Sequence, residues 1–246
     1  VKAFICTQDL KDEDYINSHY VIMATKQGQV KKTSLEQYSR PRTNGINAIT
    51  IREDDELLEV KLTTGDSQVM LAVRSGKAIR FEEEKTRPMG RGASGVRGIT
   101  LGHDKDEVIG MIAVDDAESD ILVVTENGYG KRSSIEDYRI TNRGGKGVKT
   151  INITEKTGNL VAIKNVTDLD DLMIINKSGI AIRMAVEDLR VMGRATQGVR
   201  LIKVREDDSI AAVAKVMHDE DVVDVEAADQ EQADAPQGDV TENSNE

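Results

Sequence analysis

The sequence predicts an all-β protein made of repeated four-stranded units, and three recurring features support this fold class. Apolar, β-branched runs end in a turn glycine at Gly28, Gly76, Gly128 and Gly179. A second glycine, followed by Val or Ile, recurs in phase at Gly45, Gly95, Gly147 and Gly198. A further apolar segment closes each unit, as in "LVAIKNV". Self-similarity at a fixed period of roughly 50 residues is typical of propellers and other repeat architectures.

Each unit contains four short segments with strand character. The first is apolar, as in "ILVVT", and the turn that follows it suits a hairpin. The second alternates, as in "QVKKTSL"; the third follows the second glycine, as in "GVKTINI"; and the fourth is the closing segment. Four strands per unit predict a propeller-like array within residues 1–216. The complete repeats lie at about 20–62, 68–114, 120–166 and 171–216, and residues 1–8 match the last strand of a preceding, partial unit.

Charge is distributed unevenly along the 246 residues. The net charge is −11, yet residues 217–246 hold eleven acidic and no basic residues, which leaves 33 acids and 33 bases in residues 1–216. The acidic segment has little to bury and is predicted to be a disordered tail. The single cysteine, Cys6, excludes an intrachain disulfide, fits a reducing cytoplasm and is predicted to be a buried thiol. No apolar run is long enough to predict a membrane span.

Four loops between the second and third strands concentrate the basic residues of the balanced region. Residues 40–50, 87–97, 139–150 and 190–203 carry thirteen cations and no acid. If each unit is one blade, these loops fall at equivalent places and form a positive band along one rim. The candidate binding residues in the loops are Arg40, Arg42, Arg87, Arg91, Arg97, Arg139, Arg143, Lys146, Lys149, Arg190, Arg194 and Arg200.

A second set of cations follows each turn glycine by three or four residues. Its members are Lys31, Lys32, Arg80, Lys131, Arg132 and Arg183. Together the two sets suit the DNA backbone, because cations release condensed counterions and glycines let main-chain N–H groups approach phosphates. Only 3% of residues are aromatic, which disfavours single-strand binding by base stacking. The pattern predicts a duplex held, and bent, through its backbone.

No catalytic, metal or cofactor site is predicted in this sequence. The three histidines, His19, His103 and His218, are far apart, and no Cys or His pair has ligand spacing. The string "RGGKG" lacks the spacing and the following Ser or Thr of a phosphate-binding loop.

Three segments carry a resemblance to a known family: "ENGYGKRSSIEDYRITNRGGKGVKT", "GRGASGVRGITL" and "GRATQGVRLIKV". Over residues 1–216 the chain resembles the C-terminal domain of DNA gyrase A. The resemblance implies a β-pinwheel, a disc whose blades exchange a strand with their neighbours and which wraps duplex DNA around its basic perimeter. In the whole bacterial topoisomerase, with the rest of gyrase A and with gyrase B, wrapping supports ATP-driven, Mg²⁺-dependent negative supercoiling. The resemblance also implies that the acidic tail modulates wrapping and that the DNA-cleaving tyrosine belongs to an upstream domain.

The sequence departs from the family pattern in two ways. The family's diagnostic box, Gln-Arg-Arg-Gly-Gly-Lys-Gly, is matched only by residues 142–147, which lack the leading Gln-Arg and sit in the third complete unit. We therefore expect the box upstream of Val1, in a longer protein with more blades. Two alternatives remain: the corresponding domain of topoisomerase IV, and a propeller that serves as a protein-interaction platform. The regular recurrence of loop cations and the acidic tail favour gyrase.

Overall fold

The computed structural model describes residues 1–115 and 119–217, and in these it is almost entirely β-structure. The acidic segment predicted at 217–246 lies outside the described residues, except for Met217. One helix, α1 (Glu13–Ser18), precedes the first unit, and a short 3-10 turn follows the second strand of each of the first three units. The strands are β1 (Tyr20–Thr25), β2 (Gln29–Ser34), β3 (Leu57–Thr63), β4 (Gln68–Val73), β5 (Lys77–Glu82), β6 (Val96–Arg97), β7 (Val108–Val114), β8 (Asp120–Thr125), β9 (Tyr129–Ser134), β10 (Val148–Lys149), β11 (Leu160–Val166), β12 (Asp170–Asn176), β13 (Ala181–Ala185), β14 (Val199–Arg200) and β15 (Ile210–Met217).

Each sheet is centred on a hairpin of the first and second strands of a unit. The fourth strand of each unit pairs with the first strand of that hairpin, and all of these pairings are antiparallel. The outer edge is completed by the third strand of the following unit, a two-residue strand. The resulting orders are β3-β1-β2-β6, β7-β4-β5-β10, β11-β8-β9-β14 and β15-β12-β13. The all-β fold class is confirmed, and the strand exchange implied by the resemblance is present at each junction between units.

The last sheet has three strands rather than the predicted four. A third strand completes the sheet of the unit before it, and within the described residues no unit follows the fourth. Residues 45–50, the counterpart of β6 in the first unit, form no strand, because no complete unit precedes the first within the described residues. Residues 1–8, interpreted above as the last strand of a preceding unit, also form none. Because no strand covers this segment, Phe4 is 84% exposed and the prediction of a buried Cys6 is wrong: Cys6 is exposed.

Three of the four hydrophobic clusters in the described residues lie between units, and the fourth lies between α1 and the first unit. One cluster joins Ile22 and Val30 of the first unit to Leu71 and Phe81 of the second. Equivalent clusters join the second unit to the third and the third to the fourth. The fourth strands also contact each other in succession, from β3 to β7, β11 and β15. Each unit therefore depends on its neighbour for burial, as in other repeat proteins. In the described part of the chain, no helix is long and apolar enough to cross a membrane.

Candidate nucleic-acid interface

The four basic loops are hydrogen-bonded to one another in sequence. The N–H of Thr50 donates to the Ala93 carbonyl (3.2 Å), and the N–H of Thr100 donates to the Gly145 carbonyl (2.9 Å). At the next junction the N–H of Asn152 donates to a carbonyl of the fourth loop, that of Thr196 (3.0 Å). The donors hold equivalent positions in the repeat, five residues after the second glycine. The loops at 40–50, 87–97, 139–150 and 190–203 thus form one continuous surface, which we call the basic track.

The second glycine of the second, third and fourth units lets a basic loop lie close to the sheet of the preceding unit. Gly147 has a φ of +70° and belongs to the turn that leads into β10. A Cβ at this position would lie 2.6 Å from the Ala78 carbonyl oxygen of β5. Both the backbone conformation and the close approach require glycine here.

The cations of the track are not neutralised by protein carboxylates. Within the described residues, none of the thirteen forms an ion pair; the ion pairs that do form involve cations elsewhere. Ten of the thirteen are exposed: Arg40, Arg42, Arg87, Arg97, Arg139, Lys146, Lys149, Arg190, Arg200 and Lys203. Unpaired, exposed cations on a continuous surface create a positive potential suited to a polyanion.

The remaining three cations, Arg91, Arg143 and Arg194, are half-buried at the same position of successive loops. Arg143 donates from Nε to the Lys85 carbonyl (2.9 Å) and from Nη1 to the Arg97 carbonyl (3.1 Å). Arg194 repeats this arrangement one unit later.

The partners of Arg194 are the Asp137 carbonyl, at 2.9 Å from Nε, and the Lys149 carbonyl, at 2.7 Å from Nη1. The main-chain N–H of Arg91 in turn donates to the Gln37 side chain (3.2 Å), as that of Arg194 does to the Asp137 carboxylate (3.2 Å). The three residues are thus aligned along the track, and two of them clamp a loop to the unit before it.

The structure corrects the prediction for two lysines of the second set. Lys31 and Lys131 are 0% and 1% exposed and lie beneath the track. The Lys31 ammonium donates to the carbonyls of Ala48 and Arg91, and that of Lys131 donates to the Gly193 carbonyl. Desolvation by burial lowers the pKa of each to about 8. These lysines hold the loops from below and are not available to a phosphate.

The other members of the second set, Lys32, Arg80, Arg132 and Arg183, contact protein groups of their own or a neighbouring unit. Lys32 and Arg132 are also buried, so their prediction as surface contacts is corrected as well. Arg80 is half-buried, and desolvation lowers its pKa; it donates to the carbonyls of Ile135 (2.8 Å) and Tyr138 (3.0 Å). Three members are ion-paired: Lys32 with Glu83 (2.8 Å), Arg132 with Asp168 and with Asp120 (3.5 Å), and Arg183 with Asp171 (2.6 Å). The second set therefore stabilises the sheets.

The described residues contain no cluster of side chains suited to binding a metal ion. In residues 1–115 and 119–217, no group of three His, Cys, Asp or Glu side chains is placed to hold a metal ion.

The chain is similar to known proteins over most of its length. The family described as "DNA gyrase C-terminal domain, beta-propeller" matches residues 19–64, 68–115, 119–167 and 170–217. The A subunit of DNA gyrase from Staphylococcus aureus (strain MRSA252) is 47% identical over 222 residues, which are 90% of this chain but 24% of that protein. The chain thus spans about a quarter of the length of such relatives.

Two solved structures share the fold. The crystal structure of the C-terminal domain of DNA topoisomerase IV aligns with a TM-score of 0.79 and 23% identity, over 87% of this chain and 67% of that one. A structure of the DNA gyrase A C-terminal domain aligns with a TM-score of 0.73 and 23% identity, over 82% and 67%. At these identities the likeness concerns the fold alone. The family match covers four consecutive units, and the chain belongs to the DNA gyrase C-terminal domain family.

Proposed function

We propose that this chain is the duplex-DNA-binding module of a DNA gyrase A protein, and that the basic track holds the DNA backbone. The observation that carries the proposal is the set of thirteen unpaired cations on four mutually hydrogen-bonded loops. Such a surface binds DNA through phosphates, with little dependence on base sequence and with strong dependence on salt. Because the loops belong to successive units around the array, a duplex that follows them is bent.

Bending explains why the track must be long. Smooth bending of a duplex by 40–90° costs on the order of 1–6 kcal/mol, so contacts on several units must offset it. Four loops, each with two to four cations, provide such contacts. The arrangement resembles wrapping by backbone contacts, for which histones are the known example.

In the whole enzyme, we propose that wrapping presents a DNA segment for ATP-driven, Mg²⁺-dependent strand passage with the rest of gyrase A and with gyrase B. The activity would be negative supercoiling of chromosomal DNA in the bacterial cytoplasm. In this cycle, we propose that the chain binds DNA and that the catalytic groups lie elsewhere in the enzyme. The 47% identity to a DNA gyrase A protein supports this assignment over topoisomerase IV.

The first test is a titration of duplex DNA at 50 and 200 mM salt, followed by fluorescence anisotropy. If five of the ten exposed track cations contact phosphates, the logarithmic salt slope is about −4.5 and affinity falls roughly 500-fold between these conditions. Affinity that does not change with salt would instead support a protein-interaction platform.

A matched pair of variants locates the binding surface. Lys146→Ala/Lys149→Ala removes two exposed lysines from the track, and Lys105→Ala/Lys177→Ala removes two exposed lysines outside it. We expect the first pair to weaken binding and reduce the salt slope by up to about 1.8, and the second to change neither. Equal losses for both pairs would show that only net charge matters and that the track is not a site.

Wrapping is tested separately from binding. Nicked circular DNA is ligated with and without the protein, and the linking number of the closed product is measured after the protein is removed. A shift in linking number that grows with protein concentration supports wrapping. An unchanged linking number at saturating protein contradicts it, even where binding is tight.

A further inference from the structure

A groove of about 360 Å³ at the junction of the third and fourth units is unusually rich in cations. Lys156, Arg200, Lys203 and Arg205 line it, all of them exposed, together with Tyr129. We call this the Tyr129 groove. Within the described residues none of its four cations forms an ion pair.

Tyr129, the first residue of β9, organises two of these cations. The Lys156 ammonium lies 5.3 Å from the centre of the Tyr129 ring, and the Arg200 guanidinium carbon lies 5.4 Å from it. Arg200 also donates from Nη2 to the Tyr129 hydroxyl (2.9 Å), and this hydrogen bond lowers the pKa of the tyrosine. Tyr129, only 6% exposed, thus attracts both cations to its ring through cation–π interactions.

Two carboxylates, Glu206 and Asp208, border the groove, but Asp208 is already engaged in hydrogen bonds with the protein. Asp208 accepts from the Ser178 hydroxyl (2.7 Å) and from the main-chain N–H groups of Ser178 (3.2 Å) and Ser209 (2.8 Å). These hydrogen bonds, that of the Ser178 hydroxyl first, lower the pKa of Asp208 and fix its carboxylate on the hairpin turn. Four cations against two acids leave the groove with a formal charge of about +2.

The repeat contains an internal comparison, because an equivalent groove lies between the first and second units. There Gln29 stands in place of Tyr129, Arg97 in place of Arg200 and Thr100 in place of Lys203. Two cations, Arg52 and Arg97, face four acids, Glu53, Asp54, Asp55 and Asp104. Compared with the groove between the first and second units, the positive charge of the Tyr129 groove therefore depends on its own residues.

We propose that the Tyr129 groove binds two neighbouring backbone phosphates of duplex DNA and is the strongest anchor of the basic track. The inference rests on the proposed DNA-binding function. Lys156 and Arg200 each contact one phosphate, and Tyr129 is a positioning residue that holds both side chains at the groove. DNA then engages the track asymmetrically, with its main anchor near the third and fourth units.

The test compares two double variants, one in each of the two grooves. Lys156→Ala/Arg200→Ala removes the two cations that contact the Tyr129 ring and leaves Lys203 and Arg205 in place, and Arg52→Ala/Arg97→Ala removes the two cations of the equivalent groove. The measured quantity is the ratio of DNA affinity at 50 mM salt to DNA affinity at 200 mM salt. We expect Lys156→Ala/Arg200→Ala to make this ratio about twelvefold smaller, which corresponds to the loss of two phosphate contacts. We expect Arg52→Ala/Arg97→Ala to make it less than about fourfold smaller. Tyr129→Phe keeps the ring but removes the hydroxyl, so we expect an intermediate reduction with unchanged thermal stability.

A second measurement uses inorganic phosphate as the probe, with amide chemical shifts of the full chain as the readout. Shifts at Tyr129 and Arg200, without shifts at Gln29 and Arg97, support the site. If wild-type protein binds DNA with a steep salt slope but the two double variants behave alike, the anchor is refuted and the proposed function stands. If DNA binding is absent while phosphate shifts Tyr129, the proposed function fails and an anion site remains. If neither occurs, both are wrong.

Discussion

Arg143 and Lys146 lie three residues apart in the same basic loop, and the structure predicts different consequences for their removal. The Arg143 guanidinium donates to the carbonyls of Lys85 and Arg97 in the preceding unit, whereas Lys146 is exposed. Each hydrogen bond contributes about 0.5–1.5 kcal/mol, and water can reach the carbonyls of this half-exposed site, so Arg143→Ala costs about 1–2 kcal/mol. For a protein of this size that lowers Tm by about 3–6 °C. Lys146→Ala changes the free energy of unfolding by less than about 0.5 kcal/mol.

The assay pairs thermal unfolding, followed by circular dichroism, with DNA titrations at two salt concentrations. Both variants should weaken DNA binding, and Arg143→Lys should retain much of the binding while it loses part of the stability. Arg91→Ala is the matched control, because among the described residues the Arg91 guanidinium has no hydrogen-bond partner, and its Tm should not change. If Arg143→Ala melts like the wild type, or if Lys146→Ala melts as early as Arg143→Ala, the assignment of Arg143 as a clamp between units is wrong.

Two further predictions concern stability. Lys31 and Lys131 have a pKa of about 8 in the folded protein, below the value of 10.5 expected for a free lysine. The unfolded chain therefore binds more protons between these values, and the free energy of unfolding should rise as pH increases above 8. Guanidinium titrations at pH 7.5, 8.5 and 9.5 should show this rise, and Lys131→Met should reduce it; a rise of the same size in the variant would contradict the assignment. Gly147→Ala should destabilise more than Gly45→Ala in the same titration, because both have positive φ but only Gly147 places a new Cβ against a carbonyl, while the space around Gly45 is open. Equal losses would mean that backbone conformation alone requires glycine.

The fold could be predicted from the sequence because its landmarks are glycines and apolar runs at regular spacing. What spacing alone could not give is the position of the third strands. β6, β10 and β14 are two residues long and pair with the sheet of another unit. A two-residue strand has no periodicity to detect, and its partner is set by tertiary packing, so only the family resemblance implied the exchange. The same limit explains the error at Cys6, whose burial would have required a strand partner.

Lys31 and Lys131 were predicted at the binding surface because cations recur after each turn glycine, and this prediction assumed that their strands face solvent on one side. In the structure, β2 and β9 lie between packed units and are buried along nearly their whole length. A signal for this was present in the sequence. Ile79 and Ile182 occupy, in the second and fourth units, the position that Lys31 and Lys131 occupy in the first and third. An apolar residue at an equivalent place in a repeat indicates a position that is at least partly buried, and Ile79 is 2% exposed.

The buried and half-buried cations also explain how the outer cations can act on a phosphate. A carbonyl that accepts a hydrogen bond from a donor beneath it points toward that donor. Lys31 and Lys131 engage carbonyls of three track loops from below, and Arg143 and Arg194 engage the loop carbonyls of Arg97 and Lys149 as well as two carbonyls outside the loops. Negative ends of the loop dipoles are thereby turned inward, while the exposed guanidinium and ammonium groups remain unpaired. The buried lysines should therefore strengthen DNA binding without touching DNA, and the track depends on residues of both sets that the sequence singled out, although four of the six residues in the second set are buried.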